Sequence, residues 1–136
     1  MKKFVDANIF LRFLTKDDAE KGRKILRFFE TAQNKRWQLV TSDLVIAEIV
    51  WVLTSKRLFN LPKEKVKESM LPLLLEDFIS FPAKGSIVQV FEIFVEKNIS
   101  FIDAYNAIYT RRIQADAILS YDRDFDRLDF INREEP

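Results

Sequence analysis

The sequence predicts an α/β domain with a mainly parallel central sheet of four to five strands flanked by helices. Three observations predict it. Short apolar runs of strand length alternate with longer stretches whose apolar residues recur at helical spacing. The 136 residues are 48% apolar and 32% charged, the make-up of a globular chain long enough to bury a core. No internal repeat, low-complexity segment or linker interrupts the alternation.

Each element has its own signal. Lys2 to Val5 reads as a short strand that stops at Asp6, and Ala7 to Leu14 as a first helix. Asp17 is expected to cap the second helix, with Glu20 three residues on. Ala19, Gly22, Ile25, Leu26, Phe29 and Ala32 mark the apolar stripe of that helix. Gln38 to Thr41 is a second strand. Ser42 or Asp43 opens a third helix, expected to run to about Lys56. Pro62 starts a fourth, with Val66, Met70 and Leu74 on one face. Pro72 lies inside that pattern and predicts a kink or a split. Phe78 to Phe81 is a further strand. Ile87, Val90, Phe91 and Phe94 define a fifth helix, and Ser100 caps a sixth that runs to about Ile113. Ala117 to Ser120 is a strand ending near Asp122. Phe130 and Ile131 form a last edge strand before a polar tail.

Composition removes several kinds of chemistry. There is neither cysteine nor histidine, which excludes disulfides, thiolate or imidazole zinc sites, and Ser-His-Asp or Cys-His catalysis. Two glycines leave no phosphate-cradling loop. No apolar run approaches the roughly 20 residues of a membrane span. The opening Met1–Val5 turns acidic at Asp6 before the apolar core of a signal peptide forms, so a cytoplasmic protein without membrane contact is expected. With a net charge of +1, any surface for nucleic acid must be local. Catalysis, if present, must use carboxylates, Lys, Tyr, Ser or Thr, a cofactor, or a metal on oxygen ligands.

Four carboxylates stand in unusual places. Asp6 directly follows the first strand, where open α/β sheets bind ligands, although Asp is also a good helix cap. Asn8, two residues on, can orient Asp6 or a water. Glu48 is the one charge in Leu44–Leu53. A helix apolar on every side is normally buried, so a desolvated carboxylate is expected there, in need of a partner or a metal. The alternative is a Glu at the edge of the buried face. Asp103 completes a capping box with Ser100, and Asn106 follows one turn on along the same face. Asp122 lies just beyond a strand end, after Ser120. Asp124 is the second choice for that position, with Asp126 and Asp129 as ordinary turn or surface acids. Two acids at strand ends and two early on helices can converge at one sheet edge. Such a cluster repels itself unless cations neutralise it, and hard oxygen ligands favour Mg²⁺ or Mn²⁺.

Four blocks carry a resemblance: Phe4–Leu11, Ser42–Ile49, Phe101–Ala107 and Ile118–Phe125. In order and spacing the chain resembles the PIN-domain family from about Lys2 to Ile131. A chain this short is similar to the VapC-type toxins of toxin–antitoxin pairs. The resemblance implies one PIN-like nuclease domain over residues 1–136 and an Mg²⁺- or Mn²⁺-dependent endoribonuclease acting on RNA. It also implies a homodimer held inactive by a cognate antitoxin. Asp6, Glu48, Asp103 and Asp122 fall on the family's acidic positions, as catalytic residues and metal ligands. Asn8 falls beside the first, and Ser120 keeps a hydroxyl where the family often has Thr. Ala7 replaces a hydroxyl residue found in many members. Asn106 and Asp124 are supporting candidates. Arg12 is a candidate phosphate contact. Lys56, Arg57, Arg111 and Arg112 are read first as cations at helix C-termini, and Trp51 as core or dimer surface.

Three rivals share parts of this pattern. A phosphatase using Asp6 as nucleophile wants a second Asp two residues on, where Asn8 stands. A phosphoacceptor receiver domain wants an acidic pair after the first strand. A catalytically inactive PIN fold, kept as an RNA- or protein-binding module, commonly lacks one of the acids, and here all four positions are filled.

Overall fold

The structure, a computed structural model, describes residues Met1–Pro136 and divides into two compact units, Met1–Gly85 and Ser86–Pro136. The first holds β1 (Lys2–Phe4), α1 (Ala7–Thr15), α2 (Ala19–Asn34), β2 (Gln38–Val40), α3 (Asp43–Thr54), α4 (Lys63–Leu74) and β3 (Ile79–Ser80). The second holds α5 (Ile87–Glu96), α6 (Phe101–Arg112), β4 (Ile118–Leu119), a short 3-10 helix (Arg123–Arg127) and β5 (Arg133–Glu134). Every strand pairing is parallel. The five strands expected in one sheet divide into a three-stranded sheet, β1-β2-β3, and a two-stranded one, β4-β5. The α/β class holds.

In the first unit Lys2, Lys3 and Phe4 pair with Gln38, Leu39 and Val40, and Leu39 and Val40 pair with Ile79 and Ser80. The ladder runs on past the strands: the Val5 amide donates to the Val40 carbonyl at 2.8 Å and the Thr41 amide to the Ser80 carbonyl at 2.9 Å. Helix α1 packs on α2 and α3, and α3 on α4. Their shared core includes Phe10, Phe29, Ile46, Ile49, Leu53 and Met70, all nearly inaccessible. Phe29 is its aromatic hub, meeting Phe13 edge-on at 5.1 Å and Phe10 at 6.3 Å.

Capping explains most helix starts. Ser42 Oγ accepts from the Val45 amide at 3.2 Å, and Ser100 Oγ from the Asp103 amide at 3.1 Å. The second helix corrects an expectation: Asp18, not Asp17, caps α2, accepting from the Lys21 amide at 3.0 Å. Asp17 instead accepts from the Thr15 hydroxyl at 3.1 Å. Backbone bonding to Lys21 holds the Asp18 carboxyl below its ordinary range. Pro72 does not split α4, which runs unbroken to Leu74. The proline lies in the last turn, where the missing amide costs one bond and little helix remains to be deflected.

In the second unit α5 packs on α6 through Phe91, Phe94 and Phe101, with Phe91 and Phe101 ring centres 5.2 Å apart. Ile118 and Leu119 pair with Arg133 and Glu134. The last strand is therefore Arg133–Glu134, not Phe130–Ile131. Phe130 instead lies half-buried under the Arg111 guanidinium, 4.6 Å from its ring centre.

Candidate active site

In the first unit the chain leaves β1 at Val5 and turns into α1 at Asp6. Asp6 Oδ1 accepts from the Ala7 amide at 2.8 Å, so the carboxylate serves as a cap and still faces solvent. Thr41, outside the candidate residues, fixes this turn. The buried Thr41 hydroxyl, at the carboxyl end of β2, donates to the Val5 carbonyl at 2.9 Å. The only available signal was a hydroxyl closing an otherwise apolar strand. Asn8 is exposed in the first turn of α1. The Asp43 carboxylate accepts from the Ala83 amide at 3.0 Å, tying the start of α3 to the segment after β3. Arg12 lies 3.9 and 4.0 Å from the carboxylates of Asp17 and Asp18, acidic partners that its reading as a phosphate contact did not include.

Glu48 corrects a physical argument. A helix apolar on every side predicts a buried carboxylate here, but Glu48 is exposed. Val45, Ile46, Ile49, Val50 and Leu53 face the core, whereas Leu44 and Trp51 stand 82% and 65% exposed. Leu44, Glu48 and Trp51, spaced four and three apart, share this outer face. Apolar residue types covered two different surfaces, one in the core and one in solvent.

The second unit gathers three acids. Asp103, Asp122 and Asp124 each offer a carboxylate oxygen, and the three oxygens all lie within 4.8 Å of one another. Asp103 comes from the capped first turn of α6. Asn106, exposed one turn on, gives its carbonyl to the Thr110 hydroxyl at 2.7 Å. Asp122 caps the 3-10 helix, its Oδ1 accepting from the Asp124 amide at 2.9 Å, while its own amide donates to Ser120 Oγ at 3.0 Å. Ser120 and Asp122 thereby lock the loop after β4 and set the Asp122–Asp124 spacing.

Two arginines outside the candidate residues, Arg127 and Arg133, hold this loop. Arg127 donates to the Asn98 carbonyl at 2.9 Å and pairs with Asp124 at 3.3 Å. Arg133 donates to the Ser120 carbonyl at 3.0 Å and to both Asp126 oxygens, at 2.9 and 3.3 Å. It also bonds Glu135 at 2.7 Å. The Asp126 carboxyl is held low, chiefly by its hydrogen bond from Arg133, and Arg133 is raised by Asp126 and Glu135.

The donor set suits a hard divalent ion. Octahedral Mg²⁺ takes oxygens about 2.1 Å away, which places those oxygens roughly 3 to 4 Å from one another. A spread of 4.8 Å closes to that with small side-chain adjustments. All three donors are carboxylates, which suits Mg²⁺ or Mn²⁺ better than softer metals.

The family model of the PIN domain matches residues 3–131. The chain is also similar to a VapC ribonuclease of Aquifex aeolicus (strain VF5), 23% identical over 128 residues, covering 94% of this chain and 93% of that protein. No helix is long and apolar enough to cross a membrane.

Proposed function

Because this chain belongs to the PIN domain family, we propose that it is a metal-dependent endoribonuclease of the VapC type, the toxin of a toxin–antitoxin pair. The observation that carries the reading is the acidic trio Asp103, Asp122 and Asp124. The similarity to a protein named as a VapC ribonuclease supports the substrate class. On this reading residues 1–136 act as one nuclease domain, a homodimer in complex with a cognate antitoxin.

Asp103, Asp122 and Asp124 would hold Mg²⁺ or Mn²⁺, and Asp6 and Glu48 serve the same reaction. The bound ion would supply charge stabilisation to the phosphodiester oxygens and acidify the attacking water. The chain's own contribution is placement. Ser100 and the α6 backbone orient Asp103, and Ser120 orients the Asp122 backbone. Arg127 pairs with Asp124, and Thr41 fixes the turn that carries Asp6.

Cleavage of a labelled single-stranded RNA tests the proposal. The purified protein should cut it with Mg²⁺ or Mn²⁺ and stop when EDTA is added. Asp6→Asn and Asp103→Asn should each slow cutting by at least about a hundredfold, the scale for losing one preorganised electrostatic group. Circular dichroism should show both variants folded. Wild-type rates in both would reject the site assignment.

A further inference from the structure

We propose that the outer face of α3 and the turn beyond it, from Trp51 through Lys56 and Arg57 to Phe59, is the path on which single-stranded RNA lies, with Trp51 as its base-stacking platform. The inference rests on the nuclease reading above for its placement of Glu48, and it adds the substrate-holding surface. The two tryptophans differ sharply. Trp37 is half-buried, with the Lys3 ammonium 4.5 Å and the Lys35 ammonium 5.6 Å from its ring centre. Trp51 has neither ring nor cation upon it and is largely in solvent. An indole left open is costly surface that invites a flat apolar partner.

Position and charge select that partner. Trp51 is three residues from Glu48, on the same face and about 4.5 Å further along the axis. Beyond the helix, Lys56 and Arg57 are exposed and form no ion pair. Phe59 is 41% exposed. The turn that carries them is fixed, because the Ser55 carbonyl accepts from the Leu58 amide at 3.0 Å and the Asn60 amide at 2.9 Å. The Leu61 amide then returns to the Leu53 carbonyl at 2.8 Å. Open aromatics interleaved with free cations are what a single strand requires, rings for its bases and charges for its phosphates. A protein partner fits less well. A partner covering Leu44 and Trp51 together would also cover Glu48, and would have to bring a cation of its own to pair with that carboxylate.

Fluorescence makes the test direct. Trp37→Phe leaves Trp51 as the sole tryptophan. In EDTA, where no cutting occurs on the nuclease reading, a single-stranded oligoribonucleotide should quench Trp51 saturably. A strand of the same length lacking bases should quench far less. Trp51→Ala should weaken RNA binding about tenfold without changing the oligomeric state in sedimentation. Trp51→Phe, which keeps an aromatic ring should the alanine variant misfold, should retain most of the binding. Lys56→Gln with Arg57→Gln should flatten the salt dependence of binding. Absence of quenching overturns the proposal. So does Trp51→Ala that alters the oligomeric state and leaves RNA affinity unchanged, which would mark the face as a contact between copies. Quenching without Mg²⁺- or Mn²⁺-dependent cutting would keep the RNA path and reject the nuclease reading. Cutting without quenching would do the reverse.

Discussion

The Arg133 guanidinium joins three parts of the second unit, the 3-10 helix through Asp126, the loop after β4 through the Ser120 carbonyl, and β5 itself. Its side chain is only 11% exposed, whereas that of Asp126 stays 53% exposed, so water screens the pair from the carboxylate side. Arg133→Met should leave the acidic trio chemically intact but poorly held. A ligand that binds only the native state raises the melting temperature. Wild type should therefore melt higher in millimolar MgCl2 than in EDTA, and Arg133→Met should show a smaller rise. Equal rises would remove Arg133 from any part in metal holding. Asp18 gives a pH dependence. Its folded pKa lies below the unfolded value of 3.8, so its stabilisation is complete above the unfolded pKa and fades as pH falls through the folded one. Asp18→Asn keeps the cap but cannot titrate. Melting temperatures of the two proteins should differ at pH 6 and approach each other near pH 3. A constant gap would show that Asp18 titrates alike in both states. At this scale, a strand-end position marked Asp122, with Asp124 as second choice, and a capped helix start marked Asp103, so the trio was visible in the sequence. The exposure of Glu48 was not visible, because residue identity does not tell a core face from an apolar outer one.

Helix α6 depends on a small number of local interactions. Ser100→Ala removes the acceptor of the Asp103 amide and should cost about 1 kcal/mol, the usual worth of a serine cap, measurable as a lower urea midpoint with unchanged slope. A loss below a few tenths of that would mean water replaces the hydroxyl. Element existence and type were legible for the six α-helices and the first four strands, because helical periodicity and strand-length apolar runs are strong signals. Boundaries that depend on single polar contacts were not. Asp17 and Asp18 are equally good caps by residue type, and only the turn after Thr15 decides between them. Phe130 carried a true burial signal, but the burial is a ring under Arg111, not a strand. The real strand, Arg133–Glu134, is polar and held by side-chain bonds that no alternation pattern reveals. Pro72 shows the converse: its effect depends on how much helix follows, which residue type alone does not state.

The PIN family match, residues 3–131, runs through both compact units. The net charge of +1 gives no broad basic field, so on the proposed nuclease reading association with RNA should rely on local contacts and lose affinity only moderately with salt. If the toxin reading is right, inducing the gene in a bacterial host should arrest growth, and Asp103→Asn should restore it at equal soluble expression. Normal growth with abundant wild-type protein would reject that role. At this scale the α/β class and the acidic blocks were legible from order and spacing alone. The division of strands into three and two was not, since strand pattern does not say which strands pair.

The parallel pairing of every strand also has a consequence for how the chain is made. Lys2 pairs with Gln38, 36 residues later, so no hairpin can form as the polypeptide leaves the ribosome. At about 5–20 residues per second, the first strand waits roughly two to seven seconds before its neighbour has been synthesised. During that interval α1 and α2 are the only segments able to shelter Val5 and Phe10, which makes early helix docking the step that protects the nascent protein from aggregation.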